Sequence, residues 1–497
     1  MAEPAAPVAT TAERPTVEPV VRPHLSLAVV VVIACVAQLM VILDTTVVNV
    51  ALPAMKQHLG LSATGQQWVV DGYLITFGGL LLFAGRAGDL FGRRGVFLAG
   101  LGVFTAASLA GGLAPGPGLL LAARFVQGAA AAALAPSSLS LITASHPEGP
   151  ARTRAMSIWA ATAGAGGAIG LVLGGVLTTE LSWRYVLLVN VPIGLALFAA
   201  SATALLPSPR ARVRQSLDIP GAVTATAGVG ALVYGISEAT NQGWGSAPVI
   251  AALVASAVLL TGFVAIESAS PAPLVPLSIF RRRTVSVANV LMFLLGVLLT
   301  ASLFFLSLYL QQVIGYSALR TGLAVLPMTG VMIVVAITSA RLLPRLGASP
   351  LVLAGTLFAA GGLAWLSRIP VHAAYASHVL GPTLIIGVGF GLIVLPVTAT
   401  STTGIDARQA GLVSALGNMS RQLGGAIGLS VLVTIATTAT RHSHLASPAA
   451  ATVHGYRIVL VISAAVSLGA AVAALLLPKV AAPAPGALAG HLETAGS

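Results

Sequence analysis

An all-α protein embedded in a membrane is the fold class this sequence predicts, and three observations predict it. Only 8% of the 497 residues are charged, while 57% are hydrophobic. A soluble globular protein carries about 25% charged residues, so this chain lacks the polar surface to meet water on every side. The apolar residues also fall into runs long enough to cross a hydrocarbon layer, which takes roughly 20 residues of helix. Finally, short strings recur at a nearly constant spacing, which points to a duplicated architecture.

Breaking the apolar runs at charges and turn signals places fourteen helices. Six lie near 26–52, 66–85, 95–114, 118–142, 154–178 and 184–206. Two more lie near 218–238 and 247–268. The last six lie near 285–314, 320–342, 350–369, 374–402, 411–439 and 456–478. Residues 1–25 and 479–497, rich in Ala and Pro, read as disordered tails. The segment after residue 25 is too long for a signal-peptide core and has no small-residue cleavage site. Cys35 is the only cysteine, which excludes an internal disulfide and a thiolate metal site.

An even helix count puts both tails on one side. With the tails inside, seventeen of the 25 Lys and Arg residues fall at inner ends and six at outer ends. Arg124 and Arg421 lie within helices. This is the positive-inside pattern of a multi-pass cell-membrane protein with cytoplasmic termini. It accounts for the net charge of +12 with no nucleic-acid partner. The Ala-, Gly- and Arg-rich composition, with two lysines, fits a GC-rich bacterial genome.

The string GGAIGL stands at 166–171 and again at 424–429, an offset of 258. A weaker echo pairs GRAGDLFGRR (85–94) with ARLLPRLGAS (340–349), an offset of 255. A Gly/Ala-rich hexapeptide can recur by chance, but both echoes map helices 1–6 onto helices 9–14. Helices 7 and 8 are then an inserted pair. Parallel six-helix repeats are the build of major facilitator transporters. The expected organisation is a tail (1–25), an N-terminal six-helix bundle (26–206) and a linker carrying helices 7 and 8 (207–280). A C-terminal six-helix bundle (281–478) and a second tail (479–497) follow.

Three charges lie well inside the first six helices. At 1.5 Å per residue, Asp44 stands about 27 Å along helix 1 from Ser26. Asp71 stands roughly 8 Å down helix 2, and Arg124 roughly 9 Å down helix 4. All three therefore share the outer third of the membrane. A mid-bilayer charge costs at least about 2.5–3.5 kcal/mol, so it normally meets a partner or a cavity. One arginine and two carboxylates leave one carboxylate uncompensated, which suits a site that exchanges a proton for substrate. A fixed ion pair tying helices 1, 2 and 4 together is the plainer alternative. Which carboxylate is paired is open at this point. Asp44 is expected to belong to a titratable site facing a central cavity.

Other signals are structural in character. Helix 5 carries Gly164, Gly166, Gly167, Gly170, Gly174 and Gly175, a stripe that lets membrane helices approach closely. In the loop GRAGDLFGRRG (85–95), Gly85, Gly88 and Gly92 permit a sharp turn. Asp89 there can bond Arg93, Arg94 or a helix N-terminus, so the loop reads as a conformational latch. Asn418, Arg421 and Gln422 form a polar face on helix 13, suited to pairing or to transport. Trp68, Trp183 and Trp244 fit an interfacial belt. His442, His444 and His454 share the outer loop before helix 14 and read as solvated, not as a metal site. The sequence has no nucleotide-binding loop, HExxH motif or GxSxG elbow, and an enzyme is not expected.

Together, several strings resemble the fourteen-helix drug:proton antiporters of the major facilitator superfamily. In the first half they are LDTTVVNVALP (43–53), WVVDGY (68–73), GRAGDLFGRR (85–94), RFVQG (124–128) and WRYVLLVNVPIG (183–194). In the second half they are LYLQQVIGYSALRTGLAVLP (308–327) and NMSRQLGGAIG (418–428). The resemblance implies cation recognition and proton coupling at Asp44 and Asp71. It implies a proton-transfer role for Arg124, followed by Gln127 and Gly128, and control of state interconversion by Gly85 to Arg94. The helix 5 antiporter motif corresponds to Gly170, Gly174 and Gly175, with Gly166 a turn earlier and Leu171 in place of the usual proline.

The expected function is proton-coupled export of hydrophobic, cationic small molecules, including antibiotics, by alternating access. The alternative is a major facilitator transporter dedicated to one metabolite, lipid or siderophore. The expected partners are the small-molecule substrate, protons and the lipid bilayer. No cofactor is expected besides the coupling proton, and the expected unit is a monomer.

Overall fold

The structure, a computed structural model, describes residues 26–147, 149–206, 217–403, 405, 407–445 and 447–477. The two expected tails and the first part of the expected linker lie outside the described residues. Fourteen helices among those described are long and apolar enough to cross a membrane. The first six are α1 (Leu27–Leu59), α2 (Ala63–Phe91), α3 (Arg93–Gly112), α4 (Pro117–Ser145), α5 (Pro150–Leu181) and α6 (Tyr185–Ala204). Then come α7 (Ile219–Gln242) and α8 (Ala247–Ala269). The last six are α9 (Arg283–Val313), α10 (Ala318–Leu346), α11 (Ala348–Leu366), α12 (Ala376–Ser401), α13 (Gln409–Arg441) and α14 (Pro448–Leu475).

Local chemistry sets the helix ends. The hydroxyl of Ser62 accepts from the N–H of Gly65 at 3.0 Å and opens α2, and that of Ser317 accepts from Arg320 N–H at 3.2 Å and opens α10. Asp218 Oδ1 accepts from Gly221 N–H at 2.9 Å and opens α7. Each satisfies one of the free N–H groups of a first turn. Pro117, Pro150 and Pro448 stand in the first turns of α4, α5 and α14, where the missing N–H costs nothing.

Three sequence expectations change here. The sharp turn expected over Gly85–Arg94 is confined to Gly92, whose φ is +95°. Gly85 and Gly88 are helical, because Ala84, Ala87 and Gly88 continue the buried face of α2. His454 lies within α14, which starts at Pro448, and not in the loop with His442 and His444. Trp183 is buried against the Arg184 guanidinium and is not part of an interfacial belt.

Helix neighbours repeat with an offset of eight. In the first half α1 packs on α5, α3 and α2 on α4, and α3 on α6. In the second half α9 packs on α13, α11 and α10 on α12, and α11 on α14. The recurring hexapeptide follows suit. Gly166 and Gly170 of α5 lie against Ile42 and Thr46 of α1, and Gly424 and Gly428 of α13 lie against Phe293 and Val297 of α9.

The halves meet along two seams, α5 with α10 and α2 with α13. The inserted helix α7 packs on α2, α13 and α8, so it flanks the second seam only. Burial grades accordingly. In the most apolar 18-residue window of each helix, 72% of the α2 residues are buried against 11% for α8. A helix apolar on all sides and so little buried belongs against lipid.

Candidate functional site

Asp44, from the middle of α1, is fully buried. Its Oδ2 accepts from Arg124 Nη1 of α4. Its Oδ1 accepts from Gln127 Nε2 at 3.1 Å and from Asn190 Nδ2 of α6 at 2.9 Å. Gln127 also donates to Ser108 Oγ of α3 at 2.8 Å and accepts from Arg124 Nη1 at 3.0 Å. Arg124 Nε donates to the Val69 carbonyl of α2 at 2.9 Å, and its guanidinium lies 4.6 Å from the centroid of the Tyr73 ring. Four polar or aromatic side chains, Gln127, Asn190, Ser108 and Tyr73, thus close around the Asp44–Arg124 pair, and the six residues come from five helices.

Breaking one side of such a pair leaves a bare charge in low dielectric and costs about 3–5 kcal/mol. The sequence set Asp44, Asp71 and Arg124 at one depth and left the pairing open; the structure pairs Arg124 with Asp44 and adds Gln127 to that pair. Asp44, expected to face a central cavity, has no solvent-accessible surface in this structure.

Asp71, less than two turns from Tyr73 on the same helix, is also fully buried but has a different environment. Its Oδ2 accepts from Gln67 Nε2 at 2.7 Å, and its Oδ1 has no hydrogen-bond partner. Gln67 Nε2 also donates to Ser237 Oγ of α7 at 2.8 Å. The Ser237 and Ser430 hydroxyls lie 3.0 Å apart, and Ser430 of α13 donates to the Val233 carbonyl at 3.3 Å. Among the described residues, no ion pair reaches Asp71.

The expected latch residues grip carbonyls more than one another. Asp89 and Arg93 form a solvent-exposed pair at 3.4 Å. Arg93 Nη1 donates to the Ser140 carbonyl at 3.4 Å, near the end of α4, and Arg94 Nη2 to the Ala202 carbonyl at 2.8 Å, near the end of α6. Cations suit the C-terminal ends of helices, where free carbonyls gather. Arg86, within the same Gly85–Arg94 stretch, donates to the Ala272 and Pro273 carbonyls after α8 at 2.6 and 3.1 Å.

The motif glycines permit close crossings. A Cβ on Gly128 would run into the Tyr73 carbonyl and the Thr76 hydroxyl of α2. One on Gly174 would stand 2.9 Å from the Val47 Cα of α1, and one on Gly175 2.6 Å from the Leu319 Cα of α10. Gly322 of α10 lies against the Leu171 carbonyl, so α5 and α10 touch backbone to backbone. At this end Ser307 donates to the Asn49 carbonyl at 3.1 Å, and Gln311 to the Val50 carbonyl at 3.0 Å. Toward the arginine-bearing ends of α5 and α10, Met156, Ile158, Ile337 and Leu346 are exposed.

Arg421 and Asn418 pair through Nη2 and Oδ1 at 2.9 Å, and Gln422 is buried where α2 passes at Gly78. The structure does not bring this trio to Asp44 or Asp71. Sequence reasoning missed Asn190, Ser108, Gln67, Ser237 and Ser430. Two of these carried a signal: Gln67 stands four residues before Asp71 on one helix face, and Asn190 lies within the string WRYVLLVNVPIG.

The family description Major Facilitator Superfamily matches residues 34–429. The cephamycin export protein CmcT of Amycolatopsis lactamdurans is 45% identical over 415 residues, covering 83% of this chain and 85% of that protein. The puromycin resistance protein pur8 of Streptomyces alboniger is 40% identical over 456 residues, covering 90% of each. A crystal structure of the peptide transporter POT with sulfate aligns at a TM-score of 0.64 and 16% identity, covering 91% of this chain and 96% of that one.

Proposed function

The chain belongs to the major facilitator superfamily and has its fold, two six-helix bundles with α7 and α8 inserted, and from that premise we propose that it exports antibiotic-like small molecules in exchange for protons. The relatives named for cephamycin export and puromycin resistance support export over uptake. Hydrophobic cations are the substrate class we assign. The arginine-rich end and both tails face the cytoplasm in this reading, and the protein works as a monomer in the cell membrane.

One observation carries the proton coupling: among the described residues, Asp71 is a buried carboxylate with no cation partner, a single donor and one bare oxygen. A carboxylate so poorly compensated is stable in a membrane interior chiefly as the neutral acid. Asp71 therefore carries the exchanged proton. Asp44, held by Arg124, Gln127 and Asn190, frames the bundle around it. The two halves rock about the site, with the Gly175–Gly322 crossing closing the outer end and the Arg86–Arg94 segment fastening the inner end.

Accumulation of puromycin and of ethidium in pump-deficient bacterial cells tests this reading. Cells expressing the protein should hold less of at least one compound, and a proton uncoupler should abolish the difference. Well-expressed protein whose efflux ignores the uncoupler would contradict proton coupling. No efflux of either compound would count against a broad cation exporter.

A further inference from the structure

The inserted helix α7 lies outside the duplicated architecture, yet it reaches the most weakly compensated acid in the protein. Gln67 of α2 uses both amide hydrogens, one toward Asp71 Oδ2 at 2.7 Å and one toward Ser237 Oγ of α7 at 2.8 Å. Ser430 of α13 commits its hydrogen to the Val233 carbonyl, which leaves Ser237 as the donor in the 3.0 Å contact between the two hydroxyls. The donor order that satisfies all of these contacts at once runs from Gln67 to Ser237 to Ser430 to Val233. Gln67, Asp71, Ser237 and Ser430 are all buried.

Two side-chain atoms of this hydrogen-bonded series lack partners, Asp71 Oδ1 and Gln67 Oε1. Both are acceptors when Asp71 is ionised, so neither can satisfy the other. A proton on Asp71 Oδ1 supplies the missing donor. The N–H to Oδ2 bond is in place, and the protonated acid would close it into a two-bond ring with an O–H to Oε1 bond. The amide presents that face only while Ser237 holds its other hydrogen.

We infer that α7 is a working part of the proton site: Ser237 is a positioning residue that orients Gln67 toward protonated Asp71 and ties that pair to Ser430 in the other half. This rests on the reading of Asp71 as the proton carrier. When the proton leaves, the ring opens, and the contact joining α2, α7 and α13 loses its anchor. The inserted pair thus gives one seam between the halves a protonation-dependent joint that the α5–α10 seam lacks. Four other charged groups on the packed helices have partners of their own. Arg124 bonds Asp44 and lies over Tyr73, Glu238 of α7 bonds Asn241 and Gln242, Arg421 bonds Asn418, and Arg441 bonds Asn241 and the Thr240 carbonyl.

Infrared difference spectra of the purified full chain in lipid nanodiscs, titrated over pH, test the inference without any substrate. The wild type should show a protonated-carboxyl C=O band that Asp71→Asn removes. In Ser237→Ala and in Ser430→Ala the band should persist with its midpoint displaced by about one pH unit, a tenfold change in proton affinity, the scale of one buried hydrogen bond. Ser237→Thr, which keeps the hydroxyl, should restore the wild-type midpoint. A midpoint unmoved in both alanine variants would overturn the role of α7 while leaving Asp71 as the carrier. A titrating band that survives Asp71→Asn would overturn the reading of Asp71, and the inference with it.

Discussion

Asp44 and Asp71 stand on adjacent helices of one bundle, both fully buried, and the protein treats them in opposite ways. Asp44 receives a guanidinium and two amide donors. Asp71 receives one amide and keeps a bare oxygen. A buried charge with several donors is a structural joint, stable as long as every partner stays. A buried acid with almost none can change protonation without dismantling its surroundings. Asp44 faces only its own bundle, whereas Asp71 faces the seam where α2, α7 and α13 meet.

The largest test of this contrast is Arg124→Ala. It strands the Asp44 carboxylate and should cost about 3–5 kcal/mol, read as loss of folded protein and a lower unfolding temperature in detergent. Adding Asp44→Asn should recover most of that loss, because the stranded charge is gone. Asn190→Ala removes one donor from a buried charged acceptor and should cost about 1.5–3 kcal/mol in the same assay. Asp71→Asn should change stability by less than about 1 kcal/mol, since no ion pair is broken. Its effect should appear in gradient-driven transport instead. Asp89→Ala, at the exposed pair with Arg93, should cost about 0–1 kcal/mol and sets the floor of the series.

Much of the fold was legible because membrane helices announce themselves as apolar runs, and all fourteen were placed. The repeat was legible through GGAIGL, whose glycines pack on α1 in one half and on α9 in the other. Helix ends were harder. Gly85 and Gly88 looked like a turn, but in membrane helices glycine often serves packing, and only Gly92 breaks the helix. At the site, charge was the signal. Asp44, Asp71 and Arg124 stood out because they are costly in lipid. Ser237, Ser430 and Asn190 did not, since Ser and Asn in a membrane helix are common and can bond their own backbone. Their partners lie 146 to 193 residues away in sequence, a pairing that only the folded chain creates.

The central claim is that Asp71, and not Asp44, carries the exchanged proton. Puromycin transport in proteoliposomes, with and without an imposed pH gradient, tests it most directly by comparing the wild type with Asp71→Asn and Asp44→Asn. The account predicts that Asp71→Asn is folded, still exchanges puromycin at equilibrium and no longer responds to the gradient. It predicts that Asp44→Asn, with Arg124 left unpaired, loses exchange and gradient response together. A full gradient response in Asp71→Asn would contradict the account, as would a well-folded Asp44→Asn that exchanges puromycin but ignores the gradient.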